Sequence, residues 1–290
     1  MIEKNEKLRL ETKLCQKIKH IDLLESNNFS KYKLLLENGE KLFLKSQNKS
    51  NNFLINESKE LQLLRKYIDV PKVIISSENF IVLEWIEQSY HPATQKQLGR
   101  NLSKLHQKHN DYFGFIFDNK IGSTPQKNAI REKIKNWADF FWNYRIKFQI
   151  DLAKKNNQLE LQQYNNLMNL KDSIYRKLDI QIRPSLLHGD LWSGNYIATS
   201  NGPYFIDTAS YFGHSEADFA LTYMFGGFSK EFYQSYEKRS PFEENHEERK
   251  PIYMLYHFLN HLNLFGNSYI GGVLNCYQMI ITKQSNKNKY

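Results

Sequence analysis

The stretch of sequence that decides the fold is SLLHGDLWSGNYIATSNGPYFIDTASYFGHSEADFALTYMFGGF, residues 185–228. After a polar loop it contains two strand-like segments joined by a preferred hairpin turn: residues 196–199, residues 204–206 and the turn Asn201-Gly202. The open end of this predicted hairpin holds Asn195 on one side and Asp207 on the other. Cross-strand neighbours lie about 5 Å apart, so the backbone brings both side chains to one place.

An amide and a carboxylate at one place suit Mg²⁺, which takes hard oxygen ligands and shares them with substrate phosphates. Asp190 lies five residues before Asn195, the spacing of the protein-kinase catalytic loop, which is also followed by a metal-binding Asp. In that chemistry the first Asp accepts the proton of the attacking hydroxyl. The three positions therefore predict phosphoryl transfer from ATP, with Asp190 as base and Asn195 and Asp207 holding Mg²⁺.

The segment KYKLLLENGEKLFLK, residues 31–45, is predicted to form a hairpin. Asn38-Gly39 suits a type I′ turn, which pairs Glu37 with Glu40. That register places Lys45 on the same largely apolar face as Tyr32, Leu34 and Leu36.

A helix is predicted over residues 53–68, and Glu57 interrupts its apolar stripe. A buried lysine and a buried glutamate each cost several kcal/mol when unpaired, so Lys45 and Glu57 are expected to face one another. The alternative is that Lys45 extends to solvent while Glu57 lies at the helix edge. The order Lys, Glu, Asp, Asn, Asp along the chain favours the pair, with Lys45 contacting the ATP phosphates.

The overall pattern predicts an α+β protein with a bilobal, protein-kinase-like fold: a small antiparallel sheet in the N-terminal lobe and a mostly helical C-terminal lobe. We expect a nucleotide-binding lobe over residues 1–86 and a catalytic and substrate-binding lobe over residues 87–290. Further strands are expected at 73–75 and 80–86, and helices at 94–109, 134–155 and 158–178. A ligand would bind in the cleft of such a layout.

The 290 residues carry 40 Lys and Arg against 31 Asp and Glu, a net charge of +9. The cations are spread thinly, so we expect no nucleic-acid partner. Cys15 and Cys276 lie near opposite ends, which predicts neither a disulfide nor a metal site. No apolar run approaches the roughly 20 residues of a membrane span and no signal-peptide core opens the chain, so we expect a cytoplasmic protein without a membrane partner, a monomer or weak homodimer.

The segments HGDLWSGN at 188–195 and IDTASYFGHSEADFALTYMFGGF at 206–228 closely resemble the fructosamine kinase (ketosamine-3-kinase) family. That family belongs to the wider aminoglycoside phosphotransferase and choline kinase group, which has a protein-kinase-like fold. Other segments also resemble the family: FLK at 43–45, VPK at 70–72, FGF at 113–115, STPQKN at 123–128 and YHFLNHLNLFG at 256–266. The resemblance extends from about residue 20 to residue 282.

The resemblance implies ATP-dependent phosphorylation of the 3-hydroxyl of a ketosamine, a ribulosamine or fructosamine, after which the 3-phosphate decomposes and frees the amine. The amine belongs to a small molecule or to a protein. Asp190 then matches the catalytic base, Asn195 and Asp207 the metal ligands, and Lys45 and Glu57 the pair that positions the phosphates. Further implied nucleotide-binding residues are Ser26, Asn27 and Asn28 in the loop over the phosphates and Glu84, Trp85 and Ile86 beside the adenine.

Trp192, His214 and Glu216 are implied to line the sugar site, where an aromatic face can stack on a sugar or a cationic amine. His257, Asn260 and His261 are further candidates for the substrate side; the i, i+4 histidines have a zinc-like spacing, but no third ligand accompanies them. His188 is expected to brace the loop.

The sequence departs from the family in the loop over the phosphates, where residues 25–30 contain no glycine although the family has a Gly-Gly pair. Close approach of backbone to phosphate is harder without glycine, which bears on nucleotide affinity. Two other functions stay open at this stage. One is a related aminoglycoside or choline-type phosphotransferase, and the other is a weakly catalytic nucleotide-binding regulator.

Overall fold

The computed structural model describes residues 4–27, 29–47 and 51–282. Contacts divide the chain into two compact units. The first contains the residues up to Thr94 together with Tyr196–Ile206, and the second contains Gln95–Asn195 and the residues from Asp207 onward. This grouping differs from a boundary at residue 86, because residues 87–94 and the hairpin segment 196–206 make their contacts within the first unit.

The elements follow one another as a strand-rich part and a helix-rich part. The first part consists of α1 (Lys4–Leu14), β1 (Ile18–Ser26), β2 (Ser30–Leu36), β3 (Lys41–Ser46), α2 (Phe53–Leu64), β4 (Val73–Ser76) and β5 (Phe80–Glu84). Next come α3 (Thr94–His106), β6 (Asn119–Ile121), β7 (Thr124–Gln126), α4 (Trp137–Phe141), a π-helical turn (Trp142–Ile146), α5 (Lys147–Lys155), α6 (Leu161–Met168) and α7 (Lys171–Leu178). The chain continues with β8 (Ser185–Leu186), β9 (Tyr196–Thr199), β10 (Gly202–Phe205), β11 (Phe212–Gly213), a 3₁₀ turn (Ser215–Phe219), α8 (Ala220–Phe225), α9 (Lys230–Glu237), α10 (His246–Phe265), a 3₁₀ turn (Asn267–Tyr269) and α11 (Ile270–Thr282).

The first unit is built on an antiparallel five-stranded sheet in the order β1-β2-β3-β5-β4. Alternate residues of each strand point to the same side of the sheet, so its apolar residues share one face. This face packs against α1. The buried residues of this core are Leu10, Ile18, Tyr32, Leu34, Leu36, Leu42, Leu44, Phe80 and Val82.

The β2–β3 hairpin forms, but the predicted register is wrong by one residue. Leu34 pairs with Leu42 and Lys31 pairs with Lys45. The loop has three residues rather than two: the Leu36 N–H donates to the Glu40 carbonyl at 2.8 Å, and Gly39 alone takes a positive φ of 87°. Three-residue loops of this kind insert a bulge and change which face each side chain occupies. Lys45 therefore lies on the face opposite the Tyr32 and Leu34 core.

The β9–β10 hairpin also forms, with Phe205 opposite Tyr196 and Gly202 opposite Thr199. Its two loop residues are Ser200 and Asn201, one position earlier than predicted.

The second unit is mostly helical. The helix predicted over residues 134–155 begins at Trp137 and runs to Lys155 with the π-helical turn inside it. The helix predicted over 158–178 is two helices, α6 and α7. Its core is aromatic: Trp137 stacks on Phe140 at 5.8 Å between ring centroids, and Phe219 meets Tyr236 edge-on at 4.6 Å. None of the helices in the described ranges is long and apolar enough to cross a membrane.

Candidate active site

Lys45 and Glu57 meet in the first unit. The Lys45 ammonium donates to both carboxylate oxygens of Glu57 at 3.0 and 2.9 Å, and the Lys45 side chain is only 10% exposed. β3 supplies the lysine and α2 supplies the glutamate, as expected. The ring of Phe29 lies over the same ammonium, 4.8 Å from its centroid. A buried cation paired in this way is held at a fixed place, which is what a phosphate contact requires.

The loop between β1 and β2 is tightened by its own polar side chains. The Asn27 N–H donates to the Phe29 carbonyl at 3.1 Å, and the hydroxyls of Ser26 and Ser30 lie 3.3 Å apart. Asn28, which the sequence assigns to nucleotide binding, lies outside the described residues. A phosphate-binding role for Ser26 and Asn27 stays a prediction.

The predicted adenine-side strand ends earlier than expected. β5 stops at Glu84, whose carboxylate is 3.4 Å from the Arg65 guanidinium. Trp85 and Ile86 continue outside the strand; the Trp85 indole donates to Glu87 at 3.1 Å, and the Lys33 ammonium lies 4.6 Å from its ring centroid. Their contact with adenine also stays a prediction.

Asp190, Asn195 and Asp207 lie together in the second unit. The Asn195 side-chain nitrogen donates to the Asp190 carbonyl at 2.8 Å and to the Asp190 carboxylate at 3.2 Å, and is 3.4 Å from the Asp207 carbonyl. Asn195 is 4% exposed. Burial, followed by the charge of Asp207, raises the pKa of Asp190 to about 7, against a smaller lowering by the Asn195 hydrogen bond. The two carboxylates therefore lie close enough to repel one another.

This donor set fits a divalent cation. Mg²⁺ prefers carboxylate and amide oxygens. Asn195 directs its amide nitrogen at Asp190 and at the Asp207 backbone carbonyl, so its amide oxygen points away from both. A cation beside Asp207 would also remove the repulsion that raises the pKa of Asp190. In the described part of the chain no three His, Cys, Asp or Glu side chains form a metal-binding cluster. As candidate cation ligands the set offers the Asp207 carboxylate and the Asn195 amide oxygen.

The loop that carries Asp190 is fixed by Asp218, a residue to which the sequence assigned no role. Its carboxylate accepts the backbone N–H of His188 and that of Gly189, each at 2.7 Å, and lies 3.0 Å from His106 Nε2. Asp218 is 3% exposed, and although burial opposes ionisation, the His106 hydrogen bond and the other contacts lower its pKa. The carboxylate stays charged and fixes the backbone before Asp190.

His188 has the bracing role expected of it. Its Nδ1 accepts the Asp190 backbone N–H at 3.2 Å, so the side chain stabilises the turn that presents the acid.

Trp192 lies two residues after Asp190 and is 40% exposed. Its ring packs over Gly194, where an added Cβ would come within 2.2 Å of the indole, and meets Phe225 edge-on at 6.4 Å. Phe225 is 43% exposed and lies 5.2 Å from the His261 ring. Trp192, Phe225 and His261 thus form an aromatic surface in the second unit.

His214 and Glu216 are almost fully buried, at 2% and 4% exposure. His214 Nδ1 lies 2.6 Å from the Tyr253 hydroxyl, and Arg249 donates to both Glu216 oxygens at 2.8 and 2.7 Å. Their predicted place in the sugar site stays a prediction, and their burial gives it no support.

His257 and Asn260 are also buried, at 4% and 1%, and Asn260 accepts a hydrogen bond from Gln149 at 3.1 Å. His261 is partly exposed and its Nδ1 lies 2.8 Å from the His257 carbonyl, so the two rings do not share a cation through this atom. Of the three residues, His261 is the most exposed, and a substrate contact for any of them stays a prediction.

The model of the fructosamine kinase family matches residues 1–283, and the chain belongs to this family. It is therefore a kinase that uses ATP to phosphorylate a hydroxyl group.

Individual relatives agree with this assignment. A ketosamine-3-kinase of Mus musculus is 34% identical over 237 residues, covering 72% of this chain and 74% of the mouse protein. The crystal structure of a Thermobifida fusca protein provisionally assigned as a fructosamine-3-kinase has a TM-score of 0.87 at 23% identity, covering 95% of this chain and 98% of that one.

The streptomycin–ATP ternary complex of the aminoglycoside phosphotransferase APH(2")-IIa has a TM-score of 0.64 at 16% identity, covering 97% of this chain and 99% of that one. The predicted α+β, protein-kinase-like fold is confirmed.

Proposed function

We propose that this chain phosphorylates the 3-hydroxyl of a ketosamine and so starts the removal of a sugar from an amine. The observation that carries the proposal is the contact of Asn195 with Asp190 next to Asp207 in a chain of this family. That arrangement supplies a base and an oxygen-ligand set side by side.

Asp190 is the general base in this proposal. It accepts the proton of the 3-hydroxyl as the oxygen attacks the γ-phosphorus of ATP, and the bond from that phosphorus to the bridging oxygen of ADP breaks. Asp218 and His188 hold the Asp190 backbone, so the carboxylate is presented without reorganisation. A positioned base contributes about 10²–10⁴ in rate.

Asn195 and Asp207 are the residues that would hold Mg²⁺, through their amide and carboxylate oxygens. The cation, when bound, offsets the negative charge of the transferring phosphates. Lys45, fixed by Glu57, adds a positive charge for the phosphates of the nucleotide. Because Lys45 is already paired and buried, little ordering is required of it when ATP binds.

The aromatic surface of Trp192, Phe225 and His261 supports a role in holding the acceptor. Aromatic faces attract cations and the C–H faces of sugars, and a ketosamine presents both a sugar and a secondary amine, which is cationic at neutral pH. Trp192 lies closest in sequence to Asp190. The surface therefore suits the sugar and its amine better than it suits an acidic acceptor.

The proposal also covers the setting of the reaction. We expect the acceptor amine to be either a free amino acid or a protein lysine, the enzyme to act in the cytoplasm, and the chain to be a monomer or a weak homodimer.

A panel of acceptors tests the proposed substrate class. The protein is incubated with Mg-ATP and, separately, ribulosamines, fructosamines, aminoglycosides and choline, and kcat/KM is measured for each. The proposal expects the highest kcat/KM for a ketosamine. A higher kcat/KM for an aminoglycoside or choline would contradict the proposal and indicate a related phosphotransferase. Nucleotide binding without phosphate transfer to any acceptor would indicate a weakly catalytic regulator.

A further inference from the structure

A group of buried polar side chains forms hydrogen bonds to the backbone just after Asp207 and supports those bonds. The group, here called the clamp, consists of Asn119, Gln126, Asn128 and Arg145, whose exposures are 4%, 2%, 0% and 0%. Three of the four lie on or beside the β6–β7 hairpin, which overlaps the STPQKN segment at 123–128. The mechanism proposed above gives them no task.

Two clamp residues bind backbone carbonyls of the segment 209–210. Gln126 Nε2 donates to the Ala209 carbonyl at 2.9 Å, and Asn119 Nδ2 donates to the Ser210 carbonyl at 2.9 Å. The two side chains also bind each other, because Gln126 Nε2 donates to Asn119 Oδ1 at 2.8 Å. Consecutive carbonyls are therefore held by a single connected pair of amides.

The other two clamp residues support this pair. Asn128 Nδ2 donates to Asn119 Oδ1 at 2.9 Å, and Arg145 Nη2 donates to Asn128 Oδ1 at 2.8 Å. Arg145 comes from the π-helical turn, and its guanidinium lies 4.0 Å from the ring centroid of Tyr211. π-Helical turns are frequent at functional sites. This one directs the buried Arg145 guanidinium towards the segment that Gln126 and Asn119 bind.

The same segment is also in contact with the loop that carries Asp190. The Ala209 N–H donates to the His188 carbonyl at 2.9 Å. Gly189, at a φ of 85°, comes so close that an added Cβ would lie 2.0 Å from the Ala209 carbonyl oxygen. Ala209 thus links the loop that carries Asp190 to the clamp.

Asp207 has a φ of 50°, which is uncommon for a residue other than glycine. Such a conformation costs of the order of 1–3 kcal/mol and persists only where the surroundings enforce it. Asn195 donates to the Asp207 carbonyl at 3.4 Å, and the clamp holds the carbonyls of Ala209 and Ser210, two and three positions further on.

We infer that the clamp consists of positioning residues, which hold Asp207 in its left-handed conformation so that its carboxylate is presented as a cation ligand beside Asn195. The inference rests on the proposed role of Asp207. Groups that orient a ligand are worth about 10–100-fold in metal affinity. Loosening the clamp should therefore weaken cation binding more than it weakens binding of the sugar acceptor.

The test uses two variants. Gln126→Met keeps the side-chain length and removes the bonds of Gln126 to Ala209, Asn119 and the Tyr256 hydroxyl. Asn119→Asp replaces the donor to Ser210 by an acceptor. Gln149→Met is the matched control. Gln149 is 1% exposed in the same unit, and its side chain bonds to Asn260 and Asn263 rather than to the segment after Asp207.

The primary readout is the Kd of Mn²⁺ in the presence of ATP, measured by electron paramagnetic resonance on the whole protein. Hydrogen exchange at the Ala209 amide and the KM of the ketosamine are measured alongside, with thermal unfolding to establish folding. We expect Gln126→Met to raise the Mn²⁺ Kd about 10-fold or more and to speed exchange at Ala209, with the ketosamine KM changed less than twofold. Gln149→Met should leave both the Kd and the exchange rate unchanged.

A folded Gln126→Met protein that binds Mn²⁺ as tightly as the wild type overturns the inference. If Gln126→Met does not fold, wild-type Mn²⁺ affinity in Asn119→Asp overturns it. Equal weakening in Gln149→Met also overturns it, because the effect would then be general loosening. Failure of the wild-type protein to bind Mn²⁺ with ATP would instead refute the proposed role of Asp207.

Discussion

The Asp218 carboxylate accepts the backbone N–H of Gly189 at 2.7 Å, and both residues are buried. The acid comes from the 3₁₀ turn before α8, nearly thirty residues after the loop it holds. Since the same carboxylate also accepts the N–H of His188, two consecutive amides are tied to one charged group. Charge-assisted hydrogen bonds of this kind are stronger than neutral ones. The rigidity of the loop before Asp190 therefore comes from a distant part of the second unit.

Asp218→Asn should lower kcat more than it changes the KM of ATP. The amide keeps the shape of the side chain but cannot accept both backbone bonds equally well, and displacement of a catalytic group by about 1 Å can cost roughly 10²-fold in rate. Stability should fall by about 1–3 kcal/mol, because a buried N–H loses its partner. Steady-state kinetics and urea unfolding check both parts. Asp172→Asn on the exposed surface of α7 is the control, and an equal loss there would contradict the argument.

Asp190→Asn should lower kcat by about 10²–10⁴, because the amide cannot accept the proton of the acceptor hydroxyl. ATP affinity should change little, since the base contacts the acceptor and not the nucleotide. Single-turnover kinetics together with calorimetric ATP titration separate the two effects. Wild-type turnover in this variant would remove the assignment of the base.

Glu216→Gln should destabilise the protein strongly, since it leaves the buried Arg249 guanidinium without its carboxylate. Breaking a buried pair in this way costs about 3–5 kcal/mol. Urea unfolding measures the loss, and the double variant with Arg249→Met should recover part of it. A stable Glu216→Gln protein with a raised ketosamine KM would instead support the predicted place of Glu216 in the sugar site.

His257 should make stability depend on pH below about 6.5. Burial, followed by the charges of His261 and Arg145 and opposed by Asp218, lowers its folded-state pKa to about 3, whereas the unfolded pKa is about 6.5. As the pH falls, the unfolded chain therefore binds the proton first, and stability is lost from pH 6.5 down towards pH 3. Between pH 7 and pH 5 this amounts to about 2 kcal/mol.

Urea unfolding of the wild type and of His257→Asn at several pH values isolates this contribution. The variant should show a flatter dependence by that amount, whatever its stability at pH 7. Parallel curves for the two proteins would show that His257 is accessible to protons in the folded state.

The parts of the site that the sequence predicted are those set by local spacing. The segment from Asp190 to Asp207 is only 18 residues long. Its hairpin brings Asn195 and Asp207, at either end of the two strands, close to each other and to Asp190. The pairing of Lys45 with Glu57 was also predicted, and the support for it that holds is the order Lys, Glu, Asp, Asn, Asp along the chain. The face predicted for Lys45 was wrong, because the hairpin register is shifted by one residue. The register of the first hairpin was not predictable, since Asn-Gly permits both two- and three-residue loops and the apolar residues Leu34, Leu35 and Leu36 fit either face.

The sequence could not reveal the long-range hydrogen bonds that support the site. Asp218 reaches His188 and Gly189 through packing of the 3₁₀ turn, and Gln126 reaches Ala209 across 83 positions. Polar residues that satisfy buried backbone groups have no periodicity, so their partners are known only when the fold is known. Similarly, the burial of His214 and Glu216 depends on the packing of α10 and cannot be read from their positions in sequence.

The position of the transferred phosphate tests the central claim most directly. A ketosamine is incubated with the protein and Mg-ATP, and the product is examined by phosphorus–proton NMR while release of the free amine is followed by mass spectrometry. The account predicts a phosphorus coupled to the proton on C3 and amine release that follows phosphorylation. Phosphate at another hydroxyl, or consumption of ATP with the ketosamine unchanged, would contradict it.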